Sequence, residues 1–366
     1  MYEDVAVGIL TVGLAVFVAY VALLVQMPRV VYDGSKERLR TIVDRCPTMH
    51  RAYWPTIWAC NAHLQILLLC AIDYVYGRRH PSERQVVSHD DGGETAIDWY
   101  MPADSSPTSP IVVYLHTIMG DAVPDVLVDA FAAKQWRTAI LLRRGHGSVQ
   151  LRTPLFNMFG SSTDVHDGIA CIRKRFPSAP LLMVGMSAGA AVAVRYLGEY
   201  QENTPIKCAA ILSPGYALRE TAQSIHHWYD WYLVGKLKDY FITPNKEILS
   251  KRPGYDQCVQ STTVFEFMIT SAKLVGFQSP EDYFEKTCPM VTGENMRIPF
   301  VMVQATDDPI CPEKNIPYQK VVDNGNGVLV TVGRGSHCAF YEGIIPRSWM
   351  AQVTTEFLDG ALSLST

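Results

Sequence analysis

No Cys-x-x-Cys pair occurs in the 366 residues, although nine cysteines stand at 46, 60, 70, 171, 208, 258, 288, 311 and 338. An odd number at scattered spacings carries neither the signature of a structural zinc site nor a disulfide framework. Free thiols suit a reducing compartment. Asn-x-Ser/Thr acceptors are also missing, since Asn203 is followed by Thr204 and Pro205. There is no basic surplus: 32 Lys and Arg against 36 Asp and Glu leave a net charge of −4, which speaks against a nucleic-acid partner. Internal repeats and low-complexity tracts are absent, which removes solenoids and disordered tails. Charge is also missing from residues 5–25, and that absence is informative.

Those 21 residues rise about 1.5 Å each and so match the ~30 Å hydrocarbon core of a bilayer. The start is acidic, with Glu3 and Asp4, and the run is longer than the apolar stretch of a signal peptide. The segment is expected to be a retained membrane anchor over 1–27; a cleaved leader or a buried core helix is the alternative. Arg29, Lys36, Arg38 and Arg40 follow it, placing the C-terminal side in the cytosol by the positive-inside rule. Residues 64–72 form a second apolar run, too short to span; it reads as a core element or one lying in the membrane interface.

Hydrophobic residues at 48% and charged residues at 19% describe a chain that folds around a full core. Residues 28–83 show no clear period and read as an extension packing on that core. From 84 onward the pattern is regular. Runs 85–89 and 94–100 flank Asp90-Asp91-Gly92-Gly93, a hairpin signal. Short apolar runs follow at 111–115, 138–142, 181–184, 208–212, 300–305 and 328–332, with helix-length segments at 124–133, 164–175, 188–200 and 348–362. Strands buried on both faces and alternating with helices imply an α/β fold with a mostly parallel sheet. Between Leu212 and Phe300 no core strand is visible, and the stretch is rich in Trp, Tyr and Phe. So long a segment is expected to be a folded cap, about 214–298, inserted in a catalytic domain over 84–366.

Gly185-Met186-Ser187-Ala188-Gly189 follows the run 181–184 and opens a helical pattern. In G-x-S-x-G the serine occupies a strained strand-to-helix turn, and its neighbours two residues either side must be small. Ser187 is therefore the candidate nucleophile; an idle serine in a glycine-tolerant turn is the bland reading. A nucleophilic serine needs an imidazole base and an acid to orient it, in the order Ser, Asp/Glu, His. Thr306-Asp307-Asp308-Pro309 follows the strand run 300–305, and Gly335-Ser336-His337 follows 328–332. His337 is the expected base. Asp308 is the expected acid by loop spacing, with Asp307 as its rival and otherwise a turn residue. The remaining histidines are scattered, and the pair His226-His227 is assigned no role.

An oxyanion hole needs two backbone donors, one after the nucleophile and one after the run 111–115. Ala188 supplies the first and Ile118 is expected to supply the second, with Thr117 next in line. His116 and Asp121 also form H-x4-D, a spacing some acyltransferases use. In the same loop as the oxyanion donor, and with His337 already a base, the pair reads as accidental and His116 as a loop-shaping residue.

Beyond the elbow, further stretches carry a family likeness: Cys46-Pro47, Tyr53-Trp54-Pro55-Thr56-Ile57-Trp58, Asn61-Ala62-His63-Leu64-Gln65, Arg144-Gly145-His146-Gly147, Thr153-Pro154, and the run from Phe277 through Phe284. With Asp307-Asp308-Pro309 and Gly335-Ser336-His337, these resemble the α/β-hydrolase superfamily, and within it the YheT-like AB-hydrolase family 4. The chain looks most like the membrane-anchored eukaryotic abhydrolase-domain lipases and esterases. Two positions depart from the family pattern: Thr117 stands where its oxyanion loop has Gly, and Ser336 where it has the second Gly of G-G-H. Both bear on substrate size rather than reaction class.

The resemblance implies a single-pass membrane serine hydrolase of lipid esters, with monoacylglycerols, phospholipids and short acyl esters as substrate types. It needs no organic cofactor and no metal. Its partners are the lipid ester and the bilayer, and its place is the endoplasmic reticulum or another endomembrane, with the catalytic domain cytosolic. Two rivals are an acyltransferase passing the acyl group to an alcohol or lysolipid, and an idle hydrolase-fold binding protein.

Overall fold

The computed structural model describes residues 2–76, 79–120 and 125–364. In chain order the helices are α1 (Tyr2–Leu24), α2 (Glu37–Asp44), α3 (Ala62–Tyr76), α4 (Asp125–Ala133), α5 (Ser162–Arg175), α6 (Ala188–Tyr200), α7 (Leu218–Ser224), α8 (His227–Leu237), α9 (Lys246–Leu249), α10 (Tyr255–Gln260), α11 (Val264–Leu274), α12 (Pro280–Thr287), α13 (Tyr318–Asn324) and α14 (Trp349–Ser363). The main sheet has nine strands: β1 (Arg29–Tyr32), β2 (Glu83–Ser88), β3 (Glu94–Tyr100), β4 (Ile111–Leu115), β5 (Arg137–Leu142), β6 (Leu181–Met186), β7 (Ile206–Leu212), β8 (Phe300–Ala305) and β9 (Gly327–Val332). Their spatial order is β1-β9-β8-β7-β6-β4-β5-β3-β2.

Strands β4 to β9 run parallel, and the hairpin β2–β3 and strand β1 close the two edges antiparallel. Every residue of β4, β5, β6, β8 and β9 is buried, because helices cover both faces. One face packs with α2, α4 and α14 around Tyr114, Val303 and Trp349, the other with α5 and α6 around Val113, Ile169 and Tyr196. This is the mostly parallel α/β sheet that the buried runs imply, in the α/β-hydrolase arrangement that the family resemblance implies.

The sequence pattern missed β1. It pairs Arg29 to Tyr32 with Thr331 to Val328, a partner some 300 residues away, and four residues after a proline carry no alternation to read. Upstream of it, Gln26 exchanges backbone hydrogen bonds with Tyr53, which ties the end of α1 to the segment that precedes α3. The aromatic stretch between β7 and β8 forms six helices, α7 to α12, around a separate apolar core containing Phe241, Phe267 and Tyr283.

Candidate active site

Ser187 sits at φ 53°, ψ −116°, between the last residue of β6 and the first of α6. A non-glycine residue held there is strained, and such strain persists where surrounding contacts over-determine it. The neighbouring glycines show why. A Cβ on Gly185 would stand 2.6 Å from the Gly189 carbonyl oxygen, and one on Gly189 would collide with the carbonyl oxygens at the end of β4. The helix can therefore approach the sheet closely enough to lift the serine out of the turn.

Ser187 Oγ lies 2.9 Å from His337 Nε2, and His337 Nδ1 lies 2.8 Å from Asp308 Oδ2. The Asp308 side chain is fixed from behind. Its Oδ1 accepts from the N–H groups of Ile310 and Cys311, each at 2.8 Å, and its Oδ2 accepts from Gln304 Nε2 at 3.0 Å. Burial alone would push the His337 imidazole down, but the Asp308 carboxylate outweighs it and holds the ring well above its ordinary value. His337 is flanked by Ser336 (φ 57°) and Cys338 (φ 64°). Ser336 replaces the glycine of the family pattern in this left-handed position; its Oγ donates to the Ala62 carbonyl at 2.6 Å, which ties the loop to α3. Ser213 Oγ accepts from the Cys338 N–H at 3.2 Å.

Asp307 points elsewhere. Its Oδ1 accepts from the Ser336 N–H at 2.8 Å, and its Oδ2 is buried without a partner. Burial, with a smaller push from Asp308, raises its carboxyl to about 6 against the pull of the Ser336 N–H and Arg334. The linkage has an unusual sign for an acid. Between pH ~4 and ~6 the folded state keeps a proton that the unfolded chain has released, so stability falls as pH rises through that window and stays lowered above it. Asp307→Asn removes this cost and is expected to stabilise the protein at pH 7–8 by on the order of 2 kcal/mol, while at pH 4 the two proteins converge. Thermal unfolding at the two pH values checks it; equal Tm differences at both would contradict it.

The loop after β4 is organised by Arg143, which the sequence reading did not single out, and by His146 of the Arg144-Gly145-His146-Gly147 stretch. Buried Arg143 donates to the carbonyl oxygens of His116 (2.9 Å) and Thr117 (2.5 Å), and His146 Nε2 donates to that of Ile118 (3.0 Å). A trans peptide directs its N–H opposite to its C=O. With three successive carbonyls turned inward, the N–H groups of Thr117, Ile118 and Met119 turn outward, and Ile118 lines the same cleft as Ser187 and Ala188. The first N–H groups of a helix have no partner within it, which leaves that of Ala188 available. Thr117 adopts no left-handed backbone, so the missing glycine imposes no strain there.

His116 has no exposed surface and no ring nitrogen to spare: Nε2 accepts from the Arg143 N–H at 3.3 Å and Nδ1 donates to the Thr117 carbonyl at 2.9 Å. Burial and the Arg143 charge hold it well below its ordinary value, so it stays neutral. Asp121, its H-x4-D companion, lies outside the described residues. Among the described residues, the ligand atoms of Asp308, Cys311 and His337 lie within 4.8 Å of one another, but the Asp and His are engaged with each other.

A cleft of about 550 Å³, counting its open mouth, leads from Ser187 into the helical insert, with walls that include Leu218, Leu233, Leu237, Val264 and Met268. Arg143, Gln304 and Ser213 were the residues left unassigned by sequence reasoning. All three stand at or just past the carboxyl end of a parallel strand, where α/β sheets place their sites, and Gln304 is a polar residue in an otherwise apolar run.

Residues 121–342 match the family model described as Serine aminopeptidase, S33. The chain belongs to this family. Its relatives accord with the resemblance carried by the motifs. It is 26% identical over 359 residues to Phospholipase ABHD3 of Homo sapiens, covering 93% of this chain and 86% of that one. It is 22% identical over 348 residues to Monoacylglycerol lipase ABHD2 of Homo sapiens, covering 87% and 82%. Among solved structures, ferulic-acid-bound Est1E from Butyrivibrio proteoclasticus superposes with a TM-score of 0.50 at 16% identity, over 76% of this chain and 99% of that chain, a likeness of fold.

Proposed function

We propose that this chain is a membrane-anchored serine hydrolase that cleaves carboxylic esters of lipids through an acyl-enzyme. The observation that carries the reading is the continuous hydrogen-bonded line Ser187 Oγ, His337, Asp308 at the mouth of an apolar cleft. His337 takes the Ser187 proton as Oγ attacks the ester carbonyl. Asp308 holds the imidazole with Nδ1 protonated and offsets the charge that forms on it. The N–H groups of Ala188 and Ile118 receive the oxyanion. His337 then protonates the leaving alcohol, and a water activated by the same imidazole releases the acid. Every step uses side chains and backbone of this chain, with no role for a cofactor or metal.

The insert acts as a cap over roughly 214–298, and among the described residues the lining of the cleft is apolar apart from Ser187 and Thr221, which suits an acyl chain. That favours a lipid ester over the peptide named in the family description, and the named activities of the phospholipase and monoacylglycerol lipase relatives point the same way. Helix α1 serves as the retained anchor over 1–27: residues 5–24 are long and apolar enough to span, and 6% buried. The extension 28–83 packs on the catalytic domain 84–366. The basic residues after α1 put that domain on the cytosolic side of an endomembrane.

A panel of monoacylglycerol, lysophospholipid, phospholipid, p-nitrophenyl butyrate and an aminoacyl p-nitroanilide tests the reading. The purified protein is expected to release fatty acid from the lipid esters and leave the anilide intact. Preferential anilide cleavage would contradict it. Acyl transfer to added glycerol in place of free acid would favour the acyltransferase reading.

A further inference from the structure

Tryptophan is distributed unevenly over the surface. Three of the seven, Trp99, Trp136 and Trp349, are buried, and the other four, Trp54, Trp58, Trp228 and Trp231, are exposed by 39% to 72%. Those four belong to one connected surface. Trp54 packs 6.2 Å from Tyr20 near the end of α1, whose hydroxyl donates to the Pro55 carbonyl. The Trp54 carbonyl accepts from the Gly343 N–H, and Trp58 Nε1 donates to Ile344. Ile344 and Ile345 form a turn with both side chains more than three-quarters exposed. Helix α3 is fastened beneath it through Gln65 and Tyr341. His63, at the start of α3, reaches α8: its Nδ1 is 2.7 Å from Tyr229 Oη, and the two rings stack.

Helices α3 and α8 share an oddity. A surface helix normally has one apolar stripe and one polar face, and a helix apolar all round is buried in something apolar. In α8, Leu233 and Leu237 face the cleft that holds Ser187, yet Trp228, Trp231 and Tyr232 on the other side are exposed. In α3, Gln65 and Leu68 are buried against the body, while Leu64, Leu67, Tyr74 and Val75 are exposed. At 15 residues α3 is too short to cross a bilayer, and α8 has 11. The C-terminal turn of α1 meets this surface through Tyr20 and Trp54, Trp54 and Trp58 join it to the 343–345 turn above α3, and His63 joins α3 to α8; a spanning α1 leaves the hydrocarbon at the level of that turn. Trp and Tyr concentrate at that level in membrane proteins.

We infer that α3, α8 and the Ile344–Ile345 turn form a lipid-facing collar seated in the bilayer interface beside α1, so that an acyl chain passes from the leaflet along α8 into the Ser187 cleft without crossing water. The inference rests on the reading of α1 as an anchor and of the substrate as a lipid ester. A bilayer fits the collar better than a protein partner does, because exposed tryptophans and apolar side chains run from Trp54, packed on α1, through Trp58, Ile344 and α3 to α8, whose inner side walls the cleft.

Full-length protein in phosphatidylcholine nanodiscs, with plain or brominated acyl chains, tests it. Brominated lipid is expected to quench roughly half of the tryptophan emission, the exposed four, and Trp58→Phe with Trp228→Phe and Trp231→Phe is expected to lose most of that quenching. Unquenched wild-type protein, or equal quenching in the triple variant, would overturn the collar and leave this surface to a second copy or a protein partner. In parallel, Trp228→Glu with Trp231→Glu is expected to lower turnover of vesicle-borne monoacylglycerol about tenfold or more, with turnover of soluble p-nitrophenyl acetate unchanged. Equal turnover of the vesicle substrate would overturn the collar; an equal loss on both substrates would mark a damaged fold, and the quenching then decides. Alkaline-carbonate extraction reads α1 separately. Protein stripped from the membrane refutes the anchor, protein retained but unquenched refutes the collar alone, and wild-type protein inert towards the soluble ester refutes the hydrolase reading.

Discussion

Ser187→Ala is expected to lower kcat for ester hydrolysis by about 10⁴- to 10⁶-fold while leaving the fold intact. The size follows from what the hydroxyl supplies. Its Oγ stands 2.9 Å from His337 Nε2, placed to give up its proton as it attacks, and alanine removes that nucleophile from the base. What remains is the residual rate from the oxyanion donors and substrate binding. Because Ser187 occupies a left-handed conformation that alanine also resists, glycine at this position is a useful control. Initial rates on p-nitrophenyl butyrate, with circular dichroism of each variant, check the prediction. Residual activity within tenfold of wild type would show that another group attacks the ester.

Asp308→Asn is expected to cost about 10⁴-fold in kcat, because an amide nitrogen in place of Oδ2 favours the wrong imidazole tautomer. It also moves the pH profile, with a sign that can be worked out. His337 acts as a base only when neutral, so kcat/KM rises with pH through the imidazole's titration. The Asp308 carboxylate holds that titration above the ordinary value against the opposing effect of burial. With the carboxylate gone, its raising effect is lost while burial still lowers the imidazole, and the acid limb moves to lower pH. The parallel variant Asp307→Asn keeps most of its activity, since Asp307 contacts the Ser336 backbone and not the imidazole. A profile unmoved in Asp308→Asn, or a comparable loss in Asp307→Asn, would contradict the assignment.

Much of the sheet was legible in the sequence because strands buried on both faces write themselves as unbroken apolar runs. Their ends were read short where a polar residue opens or closes the strand, as at Arg137 before Thr138 and at Lys207 before Cys208. The edge strand β1 was invisible for a different reason: its partner β9 is distant in sequence, and pairing across such a separation leaves no local trace. The run at 64–72 was visible as apolar, but only the structure shows which half of α3 is covered and which is bare.

The candidate site divides in the same way. The glycines around Ser187 and the loops after β8 and β9 were readable because tight backbone approach restricts residue choice. Two adjacent aspartates could be ranked only by spacing; in the structure they face different partners, the imidazole and the Ser336 N–H. Arg143 escaped notice because its role is exerted through carbonyl groups of another loop, 26 and 27 residues away in sequence. Such a contact is set by the register of β4 against β5, not by any motif.

The most direct test of the central claim is reaction of the full-length protein with a fluorophosphonate, followed by mass mapping of the modified peptide. The account predicts one adduct, on Ser187, whose formation slows as pH falls and His337 takes up a proton, and its loss in Ser187→Ala. An adduct on another serine, or undiminished labelling of the alanine variant, would contradict it.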